Sequence, residues 1–316
     1  MQRYIIRRLL YLIPTIIVTT MFTFGLLRIM PGDAIVAQMA ESRGSDPALL
    51  EKLRKELGLD VPPYIQYVRW ISGIVTGDWG KSYWQNKPVT AVIGRALPIS
   101  FELGFLALTI GLIIAVPIGV VSAIYQDTWI DYIGRSISIG GISIPNFFLA
   151  TLVIIYGAVW FGWFPPMSYQ SIFTNPFGNL QQFIPGATVL GLSASASNMR
   201  MIRTTMLEAM REDYVRTARA KGLAEMSVIY KHAFRNALIP VVTLLGFQVA
   251  GVIGGSVIVE SVFAINGIGR TYIDAVTQRD YPLVQGILLI LVSVSLLSNL
   301  MVDISYSWLD PRIRYS

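Results

Sequence analysis

Hydrophobic positions along this chain fall in long unbroken runs, separated by short polar stretches that are mostly basic. A helix rises about 1.5 Å per residue, so roughly 20 apolar residues cross a hydrocarbon layer. Six runs reach that length, near 9–30, 99–124, 136–162, 184–204, 238–262 and 283–307. The second and third are long enough to tilt or kink, and Pro117 and Pro145 lie inside them. The pattern predicts an all-α, polytopic membrane protein with six transmembrane helices. Two stretches depart from it: a polar, mixed-charge loop over 31–97 and a basic, amphipathic loop over 205–237.

The basic residues set the orientation. Arg3, Arg7 and Arg8 precede the first run, and Arg312 and Arg314 follow the last. The loop between runs four and five carries Arg200, Arg203, Arg211, Arg216, Arg219, Lys221, Lys231 and Arg235, whereas Gly162 to Pro185 has no charged residue. Short loops rich in Lys and Arg stay inside, so both termini and the basic loop are expected to be cytoplasmic. The loop over 31–97 is then extracytoplasmic, and Trp79, Trp84, Trp160 and Trp163 suit the membrane surface on that side. Within it Asp46 is placed to cap a helix with Pro47 at its first position; Leu49, Leu50, Leu53 and Leu57 form its apolar stripe and Gly58 ends it. Tyr11 to Met30 is too long for the core of a signal peptide, and no small-residue cleavage site follows before Pro31.

Composition narrows the class further. The 316 residues are 53% hydrophobic and 14% charged, with mean hydropathy +0.56, which is the balance of an integral membrane protein. The net charge of +6 reads as topology rather than as a nucleic-acid patch, because the basic residues flank apolar runs. With no cysteine and one histidine, His232, the chain offers no disulfide, thiol nucleophile or Cys/His metal cage. The stretch GDWGKS over 77–82 ends like a phosphate loop, yet Val75 stands where its first glycine belongs. Gly267-Ile268-Gly269 lacks the third glycine of a dinucleotide fingerprint. Glu260, Asp274 and Asp280 are expected on a solvated rim, and Glu102 and Asp303 at span ends.

The basic loop holds the strongest functional signal. Leu207 to Ala220 reads as helix, Gly222 breaks it, and a second amphipathic piece begins at Leu223. Leu223, Met226, Tyr230, Ala233 and Phe234 recur at three- and four-residue steps, giving one apolar face, and Pro240 then opens the fifth span. By pattern alone that face is covered either by a soluble partner, whose movement it would pass into two spans, or by lipid headgroups.

The segments DYVRTARAKGL (213–223) and HAFRNALIP (232–240) resemble the coupling loop of permease subunits in binding-protein-dependent ABC importers, specifically the dipeptide, oligopeptide and nickel group. The wider pattern is Glu-Ala-Ala, three residues, Gly, nine residues, Ile-x-Leu-Pro. Ala218 and Gly222 match it; Arg216, Thr217, His232, Phe234 and Arg235 depart from it in the manner of the peptide group. The likeness runs through the opening RYIIRRLLYLIPTIIVTTMFTFGLLRIMPGDA, the loop segments LGLDVPPYIQYVRW and GDWGKSY, and the ending NLMVDISYSWLDPRIRY. It points to the permease with the large first extracytoplasmic loop.

That resemblance implies a type I ABC importer permease fold, with 1–97 as first span and outer loop and 98–316 as the transmembrane domain. It implies a prokaryotic inner (plasma) membrane and a heterodimer with a homologous second permease. Two ATPase subunits, which use ATP and Mg, and an extracytoplasmic solute-binding protein complete the set, and the chain itself binds no cofactor or metal and catalyses nothing. Arg216, Thr217, Ala218, Arg219, Lys221, Gly222, Leu223, Met226 and Tyr230 are the expected ATPase-coupling residues. Peptides are the expected cargo, with nickel chelates or oligosaccharides as alternatives. Polar groups inside spans are costly unless they line a path or pack against a partner. Asn146, Ser193, Ser197, Asn198, Gln248 and Asn299 are the candidates for the translocation path, and Ser195 shares their span. An ion-gradient carrier, the reading from a different class, would call for mid-membrane carboxylates and an inverted repeat, and neither is evident.

Overall fold

The computed structural model describes residues 2–29, 51, 55, 58–166 and 168–309, and among these the regular structure is helical, with a single isolated bridge between Lys81 and Pro88. The helices are α1 (Gln2–Ile29), α2 (Pro63–Thr76), α3 (Val89–Ile124), α4 (Trp129–Ser143), α5 (Asn146–Phe161) and α6 (Pro176–Arg211). Then follow α7 (Asp213–Ala220), α8 (Glu225–Ser227), a π-helical turn (Val228–Phe234), α9 (Arg235–Gly255), α10 (Val257–Val262), α11 (Ile268–Thr277) and α12 (Tyr281–Leu309). The cap at Asp46 and the stripe Leu49, Leu50, Leu53 and Leu57 lie outside the described residues, as does the side chain of Asp303.

By length and composition, Leu10–Ile29, Val89–Ile124 and Tyr281–Val302 are apolar enough to cross a membrane, and the pair α4 and α5 makes a fourth if counted together. The third expected span is therefore not one rod. Its two halves bend by 94° at Ile144 and Pro145, because the proline ring pushes the preceding residue out of the helical region: Ile144 sits at φ −88°, ψ 120°. Pro117, by contrast, leaves α3 helical throughout. The fourth expected span lies within a longer helix. Asn175 starts α6 by accepting the Gly178 N–H, with Pro176 at the first position. This helix is less apolar than a lipid-facing span, because it buries Asn179, Gln182, Ser195 and Asn198 against protein. The fifth expected span breaks at Ser256, between α9 and α10.

The chain packs as two units. The first comprises 1–99 and 267–296. In it Phe24 of α1 meets Tyr67 edge-on at 5.4 Å and stacks on Trp70 at 6.3 Å, and the hydroxyls of Thr20 and Tyr67 are 3.0 Å apart. Asp280, expected on a solvated rim, is fully buried at the start of α12. It accepts the Ser82 hydroxyl and, at 3.4 Å, the Leu283 N–H, a capping arrangement that needs the carboxylate inside. Ser82 is thus engaged in this knot, and Lys81 is extended opposite Pro88 rather than opening a helix as in a phosphate loop. Trp84 donates to the Gln278 carbonyl at 2.7 Å.

The second unit comprises 100–266 and 297–316. Its core is set by close approach of α3 and α6: a Cβ added at Gly191 would stand 2.7 Å from the Ala107 carbonyl oxygen, so only glycine admits that contact. Glu260 was also expected in solvent and is instead fully buried, accepting the Ser100 hydroxyl at 2.6 Å and the Ser256 hydroxyl at 2.7 Å. Asp274, on α11 of the first unit, is exposed as expected. Glu102 accepts from Asn179 at 2.6 Å and Tyr169 at 3.0 Å. Burial, then that hydrogen bond, raises the Tyr169 phenol above its ordinary pKa.

Candidate functional site

The helix, turn and helix expected in the basic loop is present, with one further break. After α6 the backbone turns extended at Glu212, at φ −69° and ψ 149°, and α7 begins at Asp213. The end of α7 is a Schellman closure: the Gly222 N–H bonds to the Arg219 carbonyl at 2.9 Å and the Leu223 N–H to the Ala218 carbonyl at 3.4 Å. Gly222 has φ +76°, the left-handed region, while the place a Cβ would occupy is open space. The glycine is therefore required by backbone shape and not by crowding.

Arg219 and Glu225 clip the two arms together across that turn. The Arg219 Nη2 lies 2.6 Å from Glu225 Oε1, and its Nε lies 3.2 Å from each carboxylate oxygen. The guanidinium, chiefly through these hydrogen bonds, holds the Glu225 carboxyl below its usual pKa. Glu225 was missed in the sequence, where Arg219 was read only as a contact for a partner. The available signal was an acid six residues beyond Arg219, across a glycine.

The single apolar face expected here is in fact divided. A π-helical turn at 228–234 shifts the register, so Val215, Ala218, Val228, Ile229 and Ala233 are buried in one cluster with Ala115, Val120, Met199, Ile202, Met206 and Ala237. Leu223, Met226 and Tyr230 point the other way and are 42, 63 and 53% exposed. Ala218 thus holds the elbow from within. Arg216, Thr217 and Lys221 are exposed, Arg216 lying 3.6 Å from Asp213. Phe234 is half-buried, its ring edge-on to Tyr230 at 6.3 Å. Pro240 does not open a new helix: the chain is helical from Glu225 through the π turn into α9, and the proline lies inside α9.

Two of the candidate path residues meet. Asn198 on α6, fully buried, donates from Nδ2 to Gln248 Oε1 on α9 at 3.1 Å. The Oδ1 atoms of Asn198 and of Asn146, at the α4 to α5 bend, are buried without a hydrogen-bond partner among the described residues. Ser193, Ser197 and Asn299 are half-buried, and Ser195 bonds back to the Leu192 carbonyl at 2.7 Å. The elbow and the Asn198–Gln248 pair thus sit on the same two helices.

A buried carboxylate that no motif signalled ties three helices together beside the elbow. Asp131 of α4 is fully buried. It receives Arg203 of α6 through Nε and Nη2, each at 2.7 Å, Arg135 Nη2 at 2.8 Å, the Asp127 N–H at 3.0 Å and the Ser122 hydroxyl of α3.

Within the second unit the Asn198–Gln248 pair joins two long helices, and the clipped elbow connects the same two helices. The chain belongs to the family of binding-protein-dependent transport system inner membrane components, whose pattern matches residues 115–315. Residues 1–104 match that family's N-terminal membrane component. The chain is 38% identical over 317 residues to the dipeptide transport system permease protein of Bacillus subtilis (strain 168), covering 99% of this chain and 98% of that one. It is also 38% identical over 315 residues to the glutathione transport system permease protein of Pectobacterium atrosepticum, covering both in full. Among solved structures, an inward-facing methionine ABC transporter aligns with TM-score 0.58 and 18% identity over 69% of this chain and 96% of that one. This last likeness shows the fold alone, an all-α permease fold; the family match and the relatives make the chain an ABC transporter permease of the inner membrane.

Proposed function

We propose that this chain is one permease subunit of an ATP-driven importer of peptides, paired in the membrane with a homologous second permease. Both termini and the elbow lie on the cytoplasmic side, with six membrane crossings counted across the bent α4 and α5 pair and the joined α9 and α10. The chain catalyses nothing; separate ATPase subunits use ATP and Mg, and a solute-binding protein delivers cargo from outside. Relatives named for dipeptide and glutathione transport support the cargo class.

The observation that carries the coupling role is the two-sided elbow: an inner face fused to α6 and α9, and an outer face of Leu223, Met226 and Tyr230 left in the open. Three bulky apolar groups at spacings of three and four make a knob for an apolar groove. An ATPase subunit that grips this knob and moves as a rigid body on closing would turn α6 and α9 together, because α6 enters the elbow and the α8 rod leaves it without a gap. The Asn198–Gln248 pair would then be re-aimed along the path between two states whose populations nucleotide shifts. Arg216, Thr217 and Lys221 would form the polar rim of that contact.

The test is the double variant Met226→Ser with Tyr230→Ser in the complete transporter, reconstituted in proteoliposomes. Substrate-stimulated ATP hydrolysis and peptide uptake should fall by at least about tenfold, since two apolar anchors of an interface typically contribute a few kcal/mol. Wild-type uptake in this variant would overturn the assignment. Uptake that follows a proton gradient without ATP would overturn the class.

A further inference from the structure

Beside the Asp131 knot, α3, α4 and α6 enclose a cavity of about 310 Å³ within the second unit. Its lining combines the basic Arg135, Arg200 and Arg203 with the apolar Ile118, Ile139 and Met199. Asp131 engages Arg203 and Arg135 through their Nε and Nη2 atoms, and Asp127 takes a further contact from Arg135 Nη2 at 3.2 Å. Arg200 is exposed at the rim, next to Thr204, which is exposed as well. Three guanidinium charges against two carboxylates leave the cavity net positive, and Arg135 and Arg203 keep their Nη1 donors clear of the Asp131 contacts.

The position of this cavity matters as much as its charge. Its lining comes from the end of the expected second span, the start of the third and the end of the fourth, so by the orientation proposed above it lies at the cytoplasmic headgroup level. A pocket between spans at that depth, lined by both guanidinium and apolar side chains, has the two-part chemistry of an anionic phospholipid: a phosphate for the guanidinium groups and an acyl chain for the isoleucines. We propose that Arg135, Arg200 and Arg203 hold the phosphate of an anionic cytoplasmic-leaflet lipid in this cavity. Through Asp131 the bound lipid adjoins α6, the helix that enters the elbow, so lipid composition would bias the coupling machinery. This proposal rests on the membrane orientation given above but not on the cargo or on ATPase docking.

Native mass spectrometry of the purified complete transporter, exposed to mixed micelles of phosphatidylglycerol and phosphatidylcholine, reads the site directly and independently of transport. The expected result is retention of phosphatidylglycerol over phosphatidylcholine, reduced about fivefold by Arg200→Gln, the change expected for one cation near a charged surface. Arg211→Gln, at the exposed end of the same helix and outside the cavity, serves as the control and should change retention little. Equal losses in the two variants would mean unspecific surface charge and would overturn the proposal, as would retention unchanged by Arg200→Gln. Competition by millimolar inorganic phosphate that displaces the lipid fully would assign the site to a soluble phosphate instead. If the lipid is retained as expected while the Met226 and Tyr230 variant transports normally, the lipid site stands and the coupling assignment falls.

Discussion

The elbow over 213–234 has two apolar faces made of similar side chains and placed within a few residues of one another. Val228, Ile229 and Ala233 lie in a dry cluster, each at most 4% exposed, whereas Met226 and Tyr230 on the opposite side are more than half exposed. Burying a Val or Ile side chain is worth about 1.5–3 kcal/mol. The inner face has that contribution within this chain, and the outer face can obtain it only from another molecule. The contrast teaches that the elbow is packed against the spans on one side and open on the other, which is what the proposed transmission of force requires.

The largest effect should come from reversing the character of the inner face. Val228→Asp would place an unpaired carboxylate among Met206, Val215 and Ile229, and is expected to cost at least about 4 kcal/mol. Tyr230→Asp, two residues away, should cost less than about 1 kcal/mol because the side chain remains in water. Thermal unfolding of the two purified variants in detergent checks the pair. Equal shifts would erase the distinction between the faces.

Next in size is the turn between the arms. At φ +76°, a β-branched residue in place of Gly222 meets backbone strain of about 1–2 kcal/mol, with nothing nearby to collide with. Gly222→Val should therefore insert and fold, yet re-aim α8 relative to α7 and uncouple ATP hydrolysis from uptake. The ratio of ATP hydrolysed to peptide imported is the relevant measurement, and a wild-type ratio would show that the turn geometry is dispensable. Gly222→Ala should move the ratio in the same direction by a smaller amount.

Much of this contrast was legible in the sequence, and the rest was not for identifiable reasons. The glycine turn and the apolar outer residues Leu223, Met226 and Tyr230 follow from local pattern, because a backbone break and a three-four spacing are local properties. The inner face was misread, because a π turn adds a residue to the helical register and carries no composition signal in VIYKHAF. The bend at Pro145 was anticipated as a kink, but its 94° depends on how α4 and α5 each pack. The burial of Asp131, Glu260 and Asp280 was not foreseen for a different reason, Glu260 and Asp280 having been placed on a solvated rim. Each has a partner far along the chain, 72 residues away in Arg203, 160 in Ser100 and 198 in Ser82, and one sequence read alone gives no view of such pairings.

The smallest expected effect tests which side of the elbow the polar clip serves. Arg219 and Glu225 are 42 and 55% exposed at the side chain, so their mutual attraction is weakened by water and screened by salt. Glu225→Gln should shift the unfolding temperature barely at all, and any shift should vanish at high ionic strength. The folded pKa of Glu225 is lowered, so its contribution is fully present above the ordinary glutamate value of about 4.3 and is lost as pH falls through the folded value. Coupling should accordingly be flat with pH across the neutral range. Should Glu225→Gln enhance coupling, Arg219 has been released to a partner, and the clip competes with the docking contact instead of bracing it. Should it uncouple as strongly as the loss of Met226 and Tyr230, the clip is itself part of the surface that the partner grips. The modest stability change in each case makes the coupling ratio, rather than unfolding, the quantity that separates a brace from a contact.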